Sequence, residues 1–395
     1  MKKLMLVTGA RPNFVKVAPL IRKITQSYDD RFSFVLVHTG QHYDREMSEN
    51  LFIDLGIPNP DYNLEVGSSS HSIQTAHIME RFEPLCAKED PDCIVVFGDV
   101  NSTLASALVG AKNHIPVAHV EAGLRSFDRS MPEEINRIVT DILSDFLFTP
   151  DAVADENLIK EGIPRERIFR VGDIMVDALL WEKNRAGNSK ILDELGINDT
   201  SDYGVLTLHR AGNVDSYKVL SRLVDTVTRV SSICPLVFPV HPRTGKRLKE
   251  FKLSEKLERF RFVKKGDRYS GILMVKSVSY TDFLKLIMDS KFVLTDSGGI
   301  QKETTVLGVD CLTLRDTTEW PMTVSHGSNR LLGRMPDVSE VVKIVRKVLS
   351  GEEKKIINIP ELWDGQTSER ILKALDTELE CFAGDGNHEE KEKGS

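Results

Sequence analysis

The sequence is poor in cysteine and has no long hydrophobic run, and each absence excludes a class of protein. Only five cysteines occur in 395 residues, namely Cys86, Cys93, Cys234, Cys311 and Cys381. Their odd number, wide scatter and lack of a C-x-x-C pair fit neither a disulfide framework nor a zinc site, so small buried thiols are expected. No stretch approaches the roughly 18–20 apolar residues needed to cross a bilayer. The sequence therefore predicts neither a disulfide-rich scaffold nor a membrane-spanning protein.

The chain also lacks an excess of positive charge. Lys and Arg number 52 against 59 Asp and Glu, which gives a net charge of −7. This balance argues against a nucleic-acid binder with a broad basic face, although it leaves room for one local anion pocket. The apolar run at the N-terminus, Leu4–Val7, is soon followed by Arg11. It is more typical of a first buried strand than of a signal peptide, so a cytoplasmic protein is expected.

What the sequence does contain is an alternation of short β-branched runs with longer amphipathic stretches. This pattern is typical of βαβ units and a parallel sheet. Strands are predicted at Leu4–Val7, Phe34–His38, Cys93–Phe97, Val117–His119, Phe146–Thr149, Tyr203–Thr207, Leu236–Val240, Phe262–Lys264, Phe292–Thr295 and Cys311–Leu314. Helices are predicted at Phe14–Tyr28, Met47–Leu55, Ile73–Ala87, Ser102–Asn113, Glu133–Leu143, Ala152–Glu161, Tyr217–Ser232, Tyr280–Asp289 and Ser368–Leu379.

The two βα series are separated by a polar stretch around Trp181–Asp202. We therefore expect an α/β protein with two Rossmann-like, doubly wound parallel-sheet domains at residues 1–180 and 181–365. A ligand would bind in the cleft between the carboxyl ends of their strands. A last helix at 366–384 is expected to cross back to the first domain, and the polar tail at 385–395 is expected to be disordered.

The first βα turn carries a glycine and two cations. It lacks both the dinucleotide fingerprint and the P-loop pattern. Gly9 and Arg11 lie at the start of a predicted helix, with Lys16 about one turn inside it. A helix start with two cations suits an anion, but a solvated basic turn explains the residues equally well.

Three carboxylates fall where strands end or helices begin. Asp99 and Glu121 directly follow predicted strands, and Glu133 opens a predicted helix. Asp99 could simply cap a helix, and Glu133 could be a surface acid that complements the helix dipole. Because all three fall at the carboxyl edge of the sheet, we expect them to share a site. Clustered carboxylates shift each other's pKa values apart, which suits general acid–base work.

In the second half, His209 and His241 each follow a strand, and each has Arg within two positions. A single histidine at such a place is most often structural, but two are harder to dismiss. The sharpest signal is Ser297-Gly298-Gly299 between a strand and a helix, because its open backbone N–H groups suit phosphate oxygens. Glu303, one turn on, is placed to accept hydrogen bonds from ribose hydroxyls. The segment Leu314–Pro321 supplies a further edge to the same site.

Taken together, nine blocks carry a resemblance that runs from about Lys2 to about Leu375. They are Gly9–Pro12, Thr39–His42, Gly98–Asp99, His119–Arg125, Pro132–Arg137, Leu208–Arg210, Val240–Thr244, Thr295–Gly299 and Leu314–Glu319. Because these blocks occur in the same order as in the non-hydrolysing UDP-N-acetylglucosamine 2-epimerases, the chain resembles that family. The resemblance implies a GT-B architecture, a homodimer, a UDP-sugar substrate, and neither a metal nor a redox cofactor. It also implies loss of the C2 proton with departure of UDP, a bound 2-acetamidoglucal, and re-addition with the proton returned to the opposite face.

Residue by residue, the resemblance implies catalytic roles for Asp99, Glu121, Glu133 and His209, with Arg11, Lys16 and His209 on the phosphate side. The diphosphate and ribose would be held by Ser297, Gly298, Gly299 and Glu303, and the uracil by Val278 and Phe283. Further candidates are Gln41, His42, Arg210, His241, Arg315, Glu319 and Trp320. Which carboxylate is the acid and which the base stays open.

The chain departs from this family at three places. Trp320 stands where many members have Arg, and Gly212 where Glu is usual. Gln41, His42 and His241 match parts of an allosteric substrate site whose Arg partner is missing, which argues against activation by substrate. The expected reaction is UDP-GlcNAc to UDP-ManNAc. The Glu319-Trp320 pairing keeps UDP-2,3-diacetamido-glucuronic acid as an alternative substrate, and a GT-B glycosyltransferase, a hydrolysing epimerase and a nucleotide-sugar sensor remain as rivals.

Overall fold

The computed structural model describes residues 1–40, 52, 55–198, 202–265, 268–352 and 358–392, without the side chains of Arg11, 264–265, 268 and 383–392. The chain divides into two compact units, Met1–Ala178 with Glu361–Ser395, and Leu179–Pro360. The boundary between the two units falls inside the helix Ile174–Ala186. The sequence had predicted this boundary in an irregular polar stretch around residues 181–202. Each unit is built on its own parallel sheet, so the predicted α/β class with two parallel-sheet domains is confirmed.

The first unit contains a seven-stranded parallel sheet with the order β3-β2-β1-β4-β5-β6-β7. The strands are β1 Lys2–Thr8, β2 Phe32–His38, β3 Tyr62–Asn63, β4 Cys93–Phe97, β5 Val117–Val120, β6 Phe146–Thr149 and β7 Ile168–Arg170. Its helices are α1 Arg11–Ser27, α2 His71–Glu89, α3 Asn101–Lys112, α4 Pro132–Leu143, α5 Ala152–Lys160, α6 Ile174–Ala186 and the C-terminal Thr367–Glu392. Strands such as Cys93–Phe97 are buried at every position because helices cover both faces of the sheet.

The second unit contains a six-stranded parallel sheet with the order β12-β9-β8-β13-β14-β15. Its strands are β8 Gly204–Thr207, β9 Leu236–Pro239, β12 Ile272–Val275, β13 Phe292–Thr295, β14 Asp310–Thr313 and β15 Asn329–Leu331, beside a hairpin of β10 Val263–Lys265 and β11 Arg268–Ser270. Its helices are α7 Ile191–Glu194, α8 Ala211–Val214, α9 Tyr217–Ser231, α10 Pro242–Glu250, α11 Ser254–Glu258, α12 Tyr280–Met288, α13 Gly298–Leu307, α14 Pro321–Ser325 and α15 Val338–Ser350. The C-terminal helix Thr367–Glu392 of the first unit is α16. In both sheets the strand order reverses beside the first strand, which is where doubly wound folds bind ligands.

Several predicted elements differ from the structure. The predicted strand Phe262–Lys264 belongs to the antiparallel hairpin, and the apolar run Ile272–Val275 takes its place in the sheet beside β9. Residues 385–392 of the tail predicted to be disordered belong to the helix Thr367–Glu392, and residues 393–395 lie outside the described residues. Glu and Lys favour helix, and extending an existing helix needs no new nucleus. The predicted helix Met47–Leu55 lies almost wholly outside the described residues.

Four cysteines are buried, but Cys381 on the C-terminal helix is exposed, contrary to the expectation that all five are buried thiols. Burial raises the pKa of the Cys86 and Cys234 thiols to about 12, so these two remain protonated at neutral pH. Among the described helices, none combines the length and the apolar character that a bilayer span requires.

Candidate functional site

The site of the first unit begins where β1 and β4 end side by side, at the point where strand order reverses. Gly9 and Gly98 follow these two strands. A Cβ on Gly9 would collide with the side chain of Ser102, and Gly98 has a φ of +65°. Gly9 therefore has no room for a side chain, and Gly98 needs glycine because of its left-handed backbone conformation.

Glu121 and Lys16 form an ion pair in this unit, and both side chains are almost fully buried. Glu121 has a φ of +75°, a left-handed conformation that costs about 1–3 kcal/mol for a residue other than glycine. Its backbone N–H is fixed by a 3.0 Å hydrogen bond to Phe148 O. Burial alone would lower the pKa of Lys16, but Glu121 and Asp99 outweigh it and raise the pKa above its ordinary value. Lys16 is therefore a permanent cation between two of the predicted carboxylates.

Asp99 is held by the helix that follows the next strand. Arg137 Nη2 donates to Asp99 Oδ2 over 2.5 Å, and Asn136 Nδ2 donates to Asp99 O over 2.9 Å. Arg137 Nη1 also donates to Glu134 Oε2 over 2.8 Å. Burial opposes the charge on Arg137, but Asp99 and Glu134 prevail and the pKa of the guanidinium lies above its ordinary value. Sequence reasoning did not single out Arg137, although it lies inside the Pro132–Arg137 motif.

Glu133 lies in the first turn of this helix, one turn before the residues that contact Asp99. Within the described residues, no hydrogen bond or ion pair is recorded for its partly buried side chain. Its neighbour Glu134 is buried and accepts the N–H groups of Ser126 and Phe127 over 2.9 and 2.8 Å. Glu134 thus anchors the loop before the helix, while Glu133 is left available for a ligand.

In the second unit, the switch point lies between β8 and β13. The loop after β8 carries His209 and Arg210, and the loop after β13 begins with Asp296. The buried carboxylate of Asp296 accepts the backbone N–H groups of both residues over 3.0–3.1 Å and lies 3.2 Å from His209 Nδ1. Burial alone would raise the pKa of Asp296, but His209 and these N–H groups lower it below its ordinary value. Asp296 was not among the predicted site residues, although it lies inside the Thr295–Gly299 motif.

A cavity of about 200 Å³ lies next to this loop, and His209, His241, Val278 and Phe283 all line it. The structure thus places the two predicted uracil contacts beside both histidines. The rings of His209 and His241 are 5.7 Å apart between centroids. Burial lowers the pKa of His241 below its ordinary value, and His209 and Arg243 lower it further. Because His241 Nδ1 accepts the N–H of Arg243, the ring carries its proton on Nε2.

The N-terminus of helix Gly298–Leu307 presents the predicted phosphate-binding turn. A Cβ on Gly299 would meet no atom within 4 Å, so its backbone borders open space. The Cβ position of Gly298 lies 3.5 Å from both Arg210 Nη2 and Glu319 Oε2. Arg315 donates to both oxygens of Glu319 over 2.7 and 2.8 Å. Two guanidinium groups thus lie beside the N-terminus of this helix, an arrangement that suits a diphosphate.

Glu303 lies one turn further along the same helix and accepts a 2.9 Å hydrogen bond from Tyr280 Oη. Burial raises the pKa of Glu303 above its ordinary value, and the Tyr280 hydroxyl only partly offsets this. A second oxygen of Glu303 remains for a hydroxyl-bearing ligand, as the predicted ribose contact requires.

Trp320 is packed into the second unit, with 7% of its surface exposed. The ammonium of the buried Lys302 lies 3.9 Å from the centre of its ring. The indole therefore supports the helix that carries Gly298 and Glu303. Gln41, His42 and the side chain of Arg11 lie outside the described residues.

The sequence and the fold both match known proteins. A family model described as UDP-N-acetylglucosamine 2-epimerase matches residues 25–376. A Methanococcus maripaludis protein named UDP-N-acetylglucosamine 2-epimerase homolog is 45% identical over 375 residues, covering 94% of this chain and 99% of that protein. A Pseudomonas aeruginosa protein named UDP-2,3-diacetamido-2,3-dideoxy-D-glucuronate 2-epimerase is 39% identical over 377 residues, covering 94% and 99%.

Among solved structures, the fold is similar to that of Methanocaldococcus jannaschii UDP-GlcNAc 2-epimerase in complex with UDP-GlcNAc and UDP. The TM-score is 0.76 at 40% sequence identity, and the alignment covers 94% of this chain and 99% of the other. The nine sequence blocks and the two parallel sheets thus point to the same relatives.

Proposed function

Because this chain belongs to the UDP-N-acetylglucosamine 2-epimerase family, we propose that it inverts C2 of a UDP-2-acetamido sugar and converts UDP-GlcNAc into UDP-ManNAc without hydrolysis. The proposal rests on the grouping of three predicted carboxylates in the first unit. Asp99 and Glu121 flank Lys16 and raise its pKa, and Glu133 lies at the start of the helix that holds Asp99.

The proposed reaction needs a base and an acid around C2 and a stabilised leaving group at C1. One carboxylate takes the C2 proton, the C–H electrons form the C1=C2 double bond, and the C1–O bond breaks to release UDP. UDP then re-adds at C1 while a carboxylic acid returns a proton to the opposite face of C2. Asp99, Glu121 and Glu133 supply the carboxylates, and which one is acid and which base stays unassigned.

The residues of the second unit suit the part of the substrate that leaves. The N–H groups at Gly298 and Gly299, with Arg210 and Arg315 beside them, would neutralise charge that develops on the departing diphosphate. Glu303 would accept from the ribose, and the cavity lined by Val278 and Phe283 would take the uracil. Lys16 and His209 would act on the phosphate side. Arg11 is proposed for the same role from its place in the Gly9–Pro12 motif.

Proton NMR of the purified protein with UDP-GlcNAc in D₂O tests this proposal directly. We expect UDP-ManNAc to appear and deuterium to enter C2 of both sugars. A glycosyltransferase would leave C2 unlabelled without an acceptor, and a hydrolysing epimerase would release UDP and free sugar. Light scattering on the same sample tests the homodimer that the resemblance implies.

UDP-2,3-diacetamido-glucuronic acid is the second candidate substrate, and two observations favour it. A relative named for that substrate is 39% identical over nearly the whole chain, and the family resemblance places Trp320 where many members carry arginine. The same deuterium experiment with each UDP-sugar separately decides between the two. Turnover of the diacetamido sugar without turnover of UDP-GlcNAc would reverse the assignment.

A further inference from the structure

A histidine that the proposed mechanism does not use lies at the centre of the first unit. The side chains of His119 and Asp141 are completely buried and hydrogen-bonded to each other, with His119 Nδ1 at 2.6 Å from Asp141 Oδ1. The other ring nitrogen, Nε2, lies 2.8 Å from the carbonyl oxygen of Gly98. Asp141 Oδ2 accepts the N–H of Gly123 over 3.1 Å and lies 2.7 Å from Arg125 Nη1.

These contacts join the three segments that carry the proposed carboxylates. Gly98 directly precedes Asp99, and His119 lies two residues before Glu121. Asp141 lies on the helix Pro132–Leu143, two turns after Glu133. A single buried pair therefore connects the end of β4, the end of β5 and the helix that begins with the third carboxylate.

The hydrogen bonds also fix one proton of the ring. A carbonyl oxygen only accepts, so Nε2 must carry a proton to bond to Gly98. Asp141 accepts from Gly123 and pairs with Arg125 on its second oxygen, and its first oxygen bonds to Nδ1. The two ring nitrogens of His119 thus bond to two different segments.

We propose that the His119–Asp141 pair is a positioning element that sets the distances among Asp99, Glu121 and Glu133, an inference that rests on the proposed function. His119 has no exposed surface, so it acts through the segments it joins rather than by contact with substrate. Reacting groups held even about 1 Å out of place lose about 100-fold in rate, so weakening this clamp lowers kcat. Substrate affinity comes mainly from the nucleotide contacts of the second unit and stays unchanged.

Amide variants separate the two hydrogen bonds. His119→Gln keeps a donor near Nε2 for Gly98 but loses the bond to Asp141, whereas His119→Asn keeps a donor near Nδ1 and loses Gly98. We expect each to lower kcat by about 10–100-fold, with KM and the Kd for UDP within about twofold of wild type. A side chain needed only for packing would not produce this separation of kcat from KM and Kd.

Two substitutions at Asp141 test whether activity follows the hydrogen bonds of this pair. In Asp141→Asn, the amide nitrogen can donate to a neutral His119 and the amide oxygen can still accept from Gly123 and Arg125, so every bond survives. We expect kcat of Asp141→Asn to stay within about threefold of wild type, and that of Asp141→Ala to fall like the His119 variants. Glu161→Gln is the matched control, because Glu161 pairs with Arg125 but joins none of the three carboxylate segments.

Two measurements keep the inference testable if a variant is unstable or the proposed function fails. ¹⁵N NMR of the wild-type histidines should show one buried ring with its proton on Nε2, and this signal should persist in Asp141→Asn. If the wild type turns over no UDP-sugar, the proposed function fails, and crystal structures of His119→Gln and Glu161→Gln decide the inference. A shift of Asp99, Glu121 or Glu133 in His119→Gln alone supports it. Unchanged carboxylate positions, unchanged kcat or a wild-type ring without a proton on Nε2 would overturn it.

Discussion

The carboxylate of Asp296 accepts the backbone N–H of His209 through both of its oxygens, at 3.1 Å each. Asp296 follows β13 and His209 follows β8, which are neighbouring strands at the switch point of the second sheet. Asp296 also accepts from the N–H of Arg210 and from the side chain of Asn213. One buried anion thus shapes the loop that carries a predicted catalytic histidine and a diphosphate-facing arginine.

Asp296→Asn should therefore weaken both the fold and nucleotide binding. An amide NH₂ in place of one oxygen would face N–H donors, and each buried donor left without an acceptor costs about 1–3 kcal/mol. We expect a lower melting temperature for the second unit and at least about tenfold weaker UDP binding, measured by calorimetry. Asp316→Asn is the control, because it makes the same substitution at an exposed ion pair with Arg334. It should change neither the melting temperature nor the UDP affinity. Normal UDP affinity in Asp296→Asn would contradict this role.

Asp99→Asn tests the catalytic carboxylates. The amide cannot exchange a proton with C2, so turnover should fall by at least about 100-fold, whereas UDP binding should stay nearly intact. Steady-state kinetics and UDP titration of the same preparation separate the two effects. Near-normal turnover would remove Asp99 from the catalytic residues.

The Lys16–Glu121 pair predicts a stability pattern across three variants. Removing only the cation in Lys16→Met leaves a buried carboxylate without its partner, at a cost of about 3 kcal/mol or more. For a unit of this size, that corresponds to a fall in melting temperature of about 6 °C or more. Adding Glu121→Gln should recover most of the loss, because no unpaired charge then remains. A double variant as unstable as Lys16→Met alone would contradict the pairing.

Because Glu369 on the C-terminal helix has a lowered pKa, part of the protein's stability should depend on pH in the acid range. Lys23 lowers the pKa of Glu369 from 4.5 to about 2, burial opposes this, and Lys373 and Tyr28 lower it further. A depressed pKa adds stability that is complete above pH 4.5 and lost as the pH falls toward about 2. Wild type should therefore melt above Glu369→Gln at pH 7 and lose most of this advantage near pH 2. Scanning calorimetry at the two pH values measures it, and an equal difference at both would contradict the ion pair.

Much of the fold followed from sequence because strand burial and helix periodicity are local signals. Strands such as Cys93–Phe97, buried on both faces, matched the prediction, as did the family recognised from the ordered motifs. The short edge strands at Tyr62–Asn63 and Ile168–Arg170 were missed, since two or three half-exposed residues carry no period. The hairpin near Phe262 was misplaced because an apolar run does not reveal which strand it will pair with.

The site was harder to predict than the fold because charged partners depend on long-range contacts. Arg137, Asp141 and Asp296 act on residues between 22 and 87 positions away along the chain. Arg137 and Asp296 lie inside the sequence motifs and Asp141 does not, but no local pattern shows which distant residue each of them contacts. Trp320 was a further candidate because it stands where many family members have Arg, and only the structure shows that it is buried beside Lys302.

Trp320→Arg tests whether the family's usual arginine can be introduced into this chain. The guanidinium would have to replace an indole that is 7% exposed and lies 3.9 Å from the ammonium of Lys302. Two cations at this distance repel, and an ammonium over an aromatic ring loses an attraction of about 0.5–2 kcal/mol when the ring is removed. We therefore expect a lower melting temperature and weaker UDP binding, whereas Trp320→Phe keeps an aromatic face and should resemble wild type. Thermal melts with and without UDP measure both effects. If Trp320→Arg is as stable as wild type and gains turnover of UDP-GlcNAc, the side chain faces the substrate after all, and this position selects between the two sugars.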